Sequence, residues 1–391
     1  MTDTVERPDG ESVVDAAEGI SVEPITQWDL FISRLRRHRL AMISAWFLAF
    51  VIFVSFFAGP IITCPQGEPY CGSYRASTLA LIIGLFLFLA SGIYGIWRMM
   101  RGKSGVVVFL VIAAFSAVFL LVGTQAVELR MLNHFSDQLP DPTGRLLVNI
   151  APRGGLPFGT DELARDVLSR VIYGGQASLA VGLATGLLVA IFGTLVGAIA
   201  GYYPGSVDQG LMRFTDLILG LPLIPVAIVV GRLLPELTFL PPAMRSGPWG
   251  IALLLGLLLW GSLARIVRAE FLSLREKEFV EAARAAGAGD RRIIFRHVLP
   301  NAMSPIIVQT TLIVGTAIII EAALSFLGFG VRPPTPTWGG MAASGAGVAV
   351  RGFWWELLFA GTALVLTVLS VNFIGDGLRD ALDPTQTIER K

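Results

Sequence analysis

Few residues in this chain could do chemistry, and their spacing argues against most kinds. His38, His134 and His297 fall in three separate segments, so they form neither a metal-ligand cluster nor a nucleophile and base pair. Cys64 and Cys71 are the only cysteines and share the stretch TCPQGEPYCGSYR. With no His or further Cys nearby they lack a tetrahedral metal set; an oxidising compartment would permit a disulfide between them, and two thiols in a turn is the alternative. The tetrapeptide RGKS at 101–104 has the tail of a phosphate-binding loop, but that loop needs a first glycine at position 97, where Trp97 stands. We expect no catalytic residue, no metal and no nucleotide site in this chain. What remains is a set of ionisable residues within apolar runs and one polar, alanine-rich stretch, EFVEAARAAGAGDRRIIFRHVLPN, at 278–301.

Glu321 lies in IIIEAALSFLGFG. A carboxylate at hydrocarbon depth costs on the order of a few kcal/mol, so it must face water or protein. It either lines a solute path or makes a structural hydrogen bond to a neighbouring span. Asp216 is a second pathway candidate; it and Arg232 are expected nearer the membrane edges. In the polar stretch, a helix over 278–286 puts Phe279, Ala282, Ala283 and Ala286 on one face. Gly287 suits the left-handed position that ends such a helix, and Asp290 could cap a second one. The second helix would show Ile294, Phe295 and Val298 on one side and Arg292 and Arg296 on the other, and stop before Pro300. Two short helices joined by a glycine turn form a rigid plug that fits a groove in another protein. Alternatively, the apolar edge lies on the chain's own spans or on lipid headgroups.

The elements that position these residues are membrane spans. Of 391 residues 54% are hydrophobic and 15% charged, too little polar side chain to cover a soluble globule of that size. Eight apolar windows are long enough to cross roughly 30 Å of hydrocarbon: 40–59, 78–97, 105–124, 176–200, 211–234, 249–268, 302–322 and 353–375. Pro222 and Pro225 should kink the fifth. The net charge of +1 is spread between spans, which gives no reason to expect nucleic acid as a partner. Arg34, Arg36, Arg37 and Arg39, then Arg98, Arg101 and Lys103, then Arg275, Lys277, Arg284, Arg291, Arg292 and Arg296 fall on one side of an eight-span topology. The positive-inside bias makes that side cytoplasmic, together with both termini. The expected organisation is an acidic tail and basic segment at 1–37, a first span plus a two-span insertion at 38–124, an extracytoplasmic segment at 125–175 and a core at 176–391 with a loop at 269–301. In the third of these, Thr160 or Asp161 could cap a short surface helix with Leu163, Val167, Leu168 and Val171 on one face.

The stretch EAARAAGAGDRRIIFRHVLP resembles the EAA loop of ABC importer permeases, with Glu281, Ala282, Ala283, Gly287, Leu299 and Pro300 at matching positions and His297 where that pattern has isoleucine. FGTDELARDVLSRVIYG, LSFLGFGVRPPTPTWGGM at 324–341 and GDGLRDALDP at 375–384 resemble the C-type inner-membrane permeases of dipeptide, oligopeptide and nickel importers. The likeness runs over about 158–384, and residues 28–59 fit the usual first span. It departs at 78–124, because such permeases have six spans and this chain shows two more.

The resemblance implies an all-α polytopic membrane protein with an ABC importer type I permease core and about eight helices. It implies a permease subunit that is not itself an enzyme and forms half of an alternating-access path, most plainly for peptides. Its partners would be a second homologous permease, two ATPase subunits carrying ATP and Mg, an extracytoplasmic substrate-binding protein and the lipid bilayer. Phe279, Glu281, Ala282, Ala283, Ala286, Gly287, Asp290, Leu299 and Pro300 would seat in an ATPase cleft, whose closure pulls on the sixth and seventh spans. Importers of nickel or another small polar solute share the pattern. A secondary transporter or channel driven by an ion gradient would instead want midplane ionisable residues and an inverted repeat.

Overall fold

The computed structural model describes residues 31, 34–36, 38–58 and 135–382 apart from 142 and 155. The expected spans at 78–97 and 105–124, Cys64, Cys71 and the acidic tail lie outside the described residues. Among the described residues, five helices are long and apolar enough to cross a membrane, and one bent pair makes a sixth. Pairing outside helices is limited there to isolated bridges such as Thr160 with Asp166.

Helix α1 spans Arg39–Phe53 and runs on through a wider turn at Val54–Ala58. Helix α2, Val167–Tyr202, has 36 residues and so extends about 54 Å. Its start is fixed by Asp166, whose Oδ1 accepts from the Leu168 amide at 3.0 Å while its Oδ2 accepts from the Ser169 hydroxyl at 3.0 Å. This differs from the expected surface helix capped by Thr160 or Asp161. Those residues sit instead in a tight non-helical knot, with the Thr160 hydroxyl on the Leu147 carbonyl and Asp161 Oδ1 accepting from the amides of Leu163 and Arg165. Val167, Leu168 and Val171 belong to the first turns of α2 itself, because the cap nearest the apolar run wins.

Two sets of glycines let neighbours approach α2. A Cβ on Gly182 would meet Ile318 at 2.6 Å, and one on Gly186 would meet Val314 at 2.5 Å. Further along, a Cβ on Gly193 would meet Leu263 at 2.8 Å, and one on Gly197 would meet the Ala264 carbonyl at 2.5 Å. Helices pack in a membrane by such close contact, since lipid tails offer no hydrophobic drive between them.

Helices α3, Ser206–Leu219, and α4, Leu223–Leu233, form the bent pair, with a 3₁₀ turn at Leu234–Glu236. The expected kink is a full break of 84° at Gly220 to Pro222. Pro222 has no N–H to extend the ladder and begins α4 instead. After the short α5, Pro242–Ser246, comes α6, Pro248–Leu274, which packs along α2. Helices α7, Glu278–Ala285, and α8, Asp290–Ile293, make the loop. Then α9, Leu299–Phe326, α10, Trp338–Ala349, and α11, Trp355–Leu382, complete the described chain.

Candidate functional site

The loop after α6 is built as a knuckle rooted in the core. Helix α7 ends because Gly287 takes φ +81°, a left-handed value that a side chain disfavours. The Gly287 amide donates to the Arg284 carbonyl and the Ala288 amide to the Ala283 carbonyl, both at 3.0 Å, closing the helix end reciprocally. Val280, Ile293 and Val298 are fully buried in a cluster with Val267, Phe271 and Ala302, and Ala283, Ala288, Ile294 and Leu299 pack on it. Ala282, Ala286, Gly287 and Glu281 are exposed, with Phe279 at 41% and Phe295 at 63%. Exposed Arg291, Arg292 and Arg296 border an open groove with Gly289, Asp290 and Phe295.

Four sequence-based expectations are corrected here. Ala283 turns inward, away from the face of Phe279, Ala282 and Ala286, because its neighbour Val280 anchors that side of α7. Phe295 parts from Ile294 and Val298 and points outward. The second helix does not stop before Pro300: a wide turn at Ile294–Val298 carries it into α9, where Pro300 occupies the first turn and its missing N–H breaks no ladder bond. Asp290 is the first residue of α8, capped by the backbone of Gly289, and its carboxylate is used elsewhere.

That use went unread in the sequence. The Tyr202 hydroxyl donates to Asp290 Oδ1 at 2.9 Å and the Tyr203 hydroxyl to Oδ2 at 3.1 Å. Arg275 Nη1 donates to the Tyr202 carbonyl at 3.1 Å. Both sides of the knuckle are thereby tied to the end of α2. The signal was present as GYYPG, an aromatic pair at a helix end before a glycine turn, but no periodicity links it to a residue 88 positions away.

The two pathway candidates separate. Glu321 is 0% exposed, inside the chain. It accepts from the Ser325 hydroxyl at 2.7 Å and the Ser178 hydroxyl at 3.4 Å, and Ser178 in turn accepts from the Trp338 amide at 3.2 Å. It therefore joins α9 and α2, and through Ser178 the start of α10, rather than lining an open path, since serine hydroxyls occupy both its oxygens. Asp216, in the last turn of α3, pairs with Arg265 Nη2 of α6 at 2.5 Å. A second pair, Asp208 with Arg268, holds the same two helices at 2.5 and 2.6 Å.

At the opposite end of α2 lies a buried charge cluster. Asp161 Oδ2 meets Arg165 at 2.7 Å and Arg170 at 3.3 Å, and Glu356 accepts from the Ser344 hydroxyl at 3.0 Å. Trp355 Nε1 donates to the Thr160 carbonyl at 2.8 Å, which fastens α11 to the knot.

Comparison with known proteins agrees with this architecture. Residues 193–388, half of the chain, match the family described as binding-protein-dependent transport system inner membrane component, and residues 26–70 match the N-terminal transmembrane domain of oligopeptide transport permease C. A protein of Brucella suis biovar 1 named as a peptide permease is 42% identical over 246 residues, covering 63% of this chain and 78% of its own. The dipeptide transport system permease protein DppC of Alkalihalophilus pseudofirmus is 39% identical over 289 residues, 73% of this chain and 88% of its own. Among solved structures, an inward-facing MetNI methionine ABC transporter chain aligns with TM-score 0.44 and 19% identity, over 55% of this chain and 96% of its own. The chain belongs to the binding-protein-dependent transport system inner membrane component family, as a multi-pass, C-type permease subunit of an ABC importer.

Proposed function

We propose that this permease forms half of a peptide translocation path and that the knuckle of α7 and α8 is the place where an ATPase subunit grips it. The observation that carries this reading is the division of the knuckle's surface. Val280, Ile293 and Val298 root it in the helix bundle, while Phe279, Ala282, Ala286 and Phe295 are left outside with an arginine border. An apolar tip ringed by cations suits a cleft with an apolar floor and an acidic rim. ATP and Mg are held by the ATPase partners, and this chain is not catalytic itself.

In this reading the knuckle end is cytoplasmic, as the arginines of the loop favour. A second permease completes the path, and an extracytoplasmic binding protein delivers the solute. The names of the relatives support peptides as that solute. Because Tyr202 and Tyr203 tie the knuckle to α2, a pull on it is passed along a helix about 54 Å long, whose far end carries Arg170 of the charge cluster.

The test is reconstitution of the chain with its permease, ATPase and binding-protein partners in proteoliposomes. Uptake of a labelled peptide should need ATP and be indifferent to ionophores. Uptake that persists without ATP and collapses with an ionophore would assign an ion-gradient transporter instead.

A further inference from the structure

The half-exposed ion pair of α3 and α6 is absorbed neither by the knuckle nor by the chain's core. Asp216 and Arg265 are 57% and 54% exposed although bonded to each other. Asp216 lies five residues inside the apolar window 211–234 and Arg265 three inside that at 249–268, about 5–8 Å within the hydrocarbon stretch on the knuckle side. Charged groups within an apolar window are costly against lipid and usually face protein or a water-filled cavity.

Helix α3 shows three faces. Asp208 and Thr215 are buried toward α6, where a Cβ on Gly261 would meet Leu219 at 3.0 Å and Thr215 at 3.2 Å. Val207, Phe214 and Leu217 form an exposed apolar face suited to lipid or a second permease. Between them Gln209, Arg213 and Asp216 fall within an arc of about 60°, all exposed. Gly220, where the helix breaks, lies on that same arc and is exposed with Leu221 and Pro222. Broken backbone at membrane depth is tolerated only inside protein or beside a water-filled cavity. The ion pair and the break are separate observations that point to one side of α3. A dry protein contact there would strip water from both charges at a net cost, whereas a wet path would not.

We propose that the polar arc of α3 with Arg265 lines the water-filled, cytoplasmic half of the path and takes the charged ends of a zwitterionic solute, carboxylate at Arg265 and ammonium at Asp216. This rests on the transport reading above and adds the site at which the passing peptide is held.

The experiment is thiol labelling of the assembled complex in native membranes, in a background with Cys64 and Cys71 replaced by serine. The probes are an anionic sulfonatoethyl and a cationic trimethylammonium-ethyl methanethiosulfonate. Asp216→Cys leaves Arg265 and should react about fivefold or more faster with the anionic reagent; Arg265→Cys leaves Asp216 and should show the reverse preference. Gln209→Cys, which breaks no pair seen here, should also react, and Phe214→Cys and Leu217→Cys should not. Unreactive thiols at 209, 216 and 265 would mean that a second permease or lipid covers the arc, and the same charge preference at 216 and 265 would remove the solute-end assignment; either overturns the proposal. Labelling does not depend on ATP coupling, so loss of the ATPase reading would show in uptake and leave this result standing.

Discussion

Asp290 on the knuckle and Tyr202 at the end of α2 are joined by a 2.9 Å hydrogen bond, with Tyr203 completing the grip on the second carboxylate oxygen at 3.1 Å. The relationship ties the knuckle to the 36-residue α2 as well as to α6 and α9, between which it stands in the chain. Phenol to carboxylate bonds are charge-assisted and stronger than neutral ones, but Tyr203 is exposed, so water replaces part of what its loss removes.

The double variant Tyr202→Phe, Tyr203→Phe should therefore reach the membrane at normal levels and bind its ATPase partners. Peptide taken up per ATP hydrolysed should fall several-fold, because the knuckle can then move without α2. A normal ratio, measured in proteoliposomes by parallel uptake and phosphate release, would show that the grip is only local bracing.

Gly287 has a left-handed φ and no atom within 4 Å of where a Cβ would stand. Gly287→Ala is thus strained by about 1 kcal/mol but fits sterically. Gly287→Trp projects its bulk outward into the space we assign to the ATPase. The alanine variant should keep most uptake and the tryptophan variant should lose it, with membrane levels of both near normal by immunoblot. Uptake by Gly287→Trp at the normal rate would remove the docking assignment.

The contrast at Gly197 tests packing. A Cβ there would meet the Ala264 carbonyl at 2.5 Å and Val267 at 2.7 Å, backbone and side chain of α6 that cannot move aside. Gly197→Leu should separate α2 from α6 and abolish accumulation of the protein. Gly210→Ala on α3 meets nothing within 4 Å and should be neutral or stabilise by roughly 0.5–1 kcal/mol. Immunoblot of membranes checks the first, and thermal unfolding in detergent the second; normal membrane levels of Gly197→Leu would show that the α2–α6 contact can open at little cost.

Glu321 is a bracket between three helices, so substitutions should act through hydrogen bonding. Glu321→Gln keeps acceptor capacity toward Ser325 and should transport normally across a set of labelled peptides. Glu321→Leu leaves the Ser178 and Ser325 hydroxyls short of a partner, at about 1–3 kcal/mol, and should lower the melting temperature. A change in peptide preference with Glu321→Gln would return this residue to the solute path.

The amino-acid sequence by itself determined the class of molecule. Apolar windows of the right length fixed five of the described spans and the bent pair, since crossing hydrocarbon is a local demand on a contiguous stretch. It determined the turn at Gly287 and the break near Pro222, because φ > 0 and a missing N–H are properties of single residues. The motif at 281–300 likewise carried the family. Only the tertiary structure decided which oxygen meets which donor: that Asp290 serves two tyrosines instead of capping its helix, that Glu321 is enclosed, and that Asp216 stays half open beside Arg265. Such partners lie 49 to 143 positions apart in the chain. A carboxylate's role is set by the neighbours that packing brings to it, and no periodicity along one strand of sequence encodes their approach.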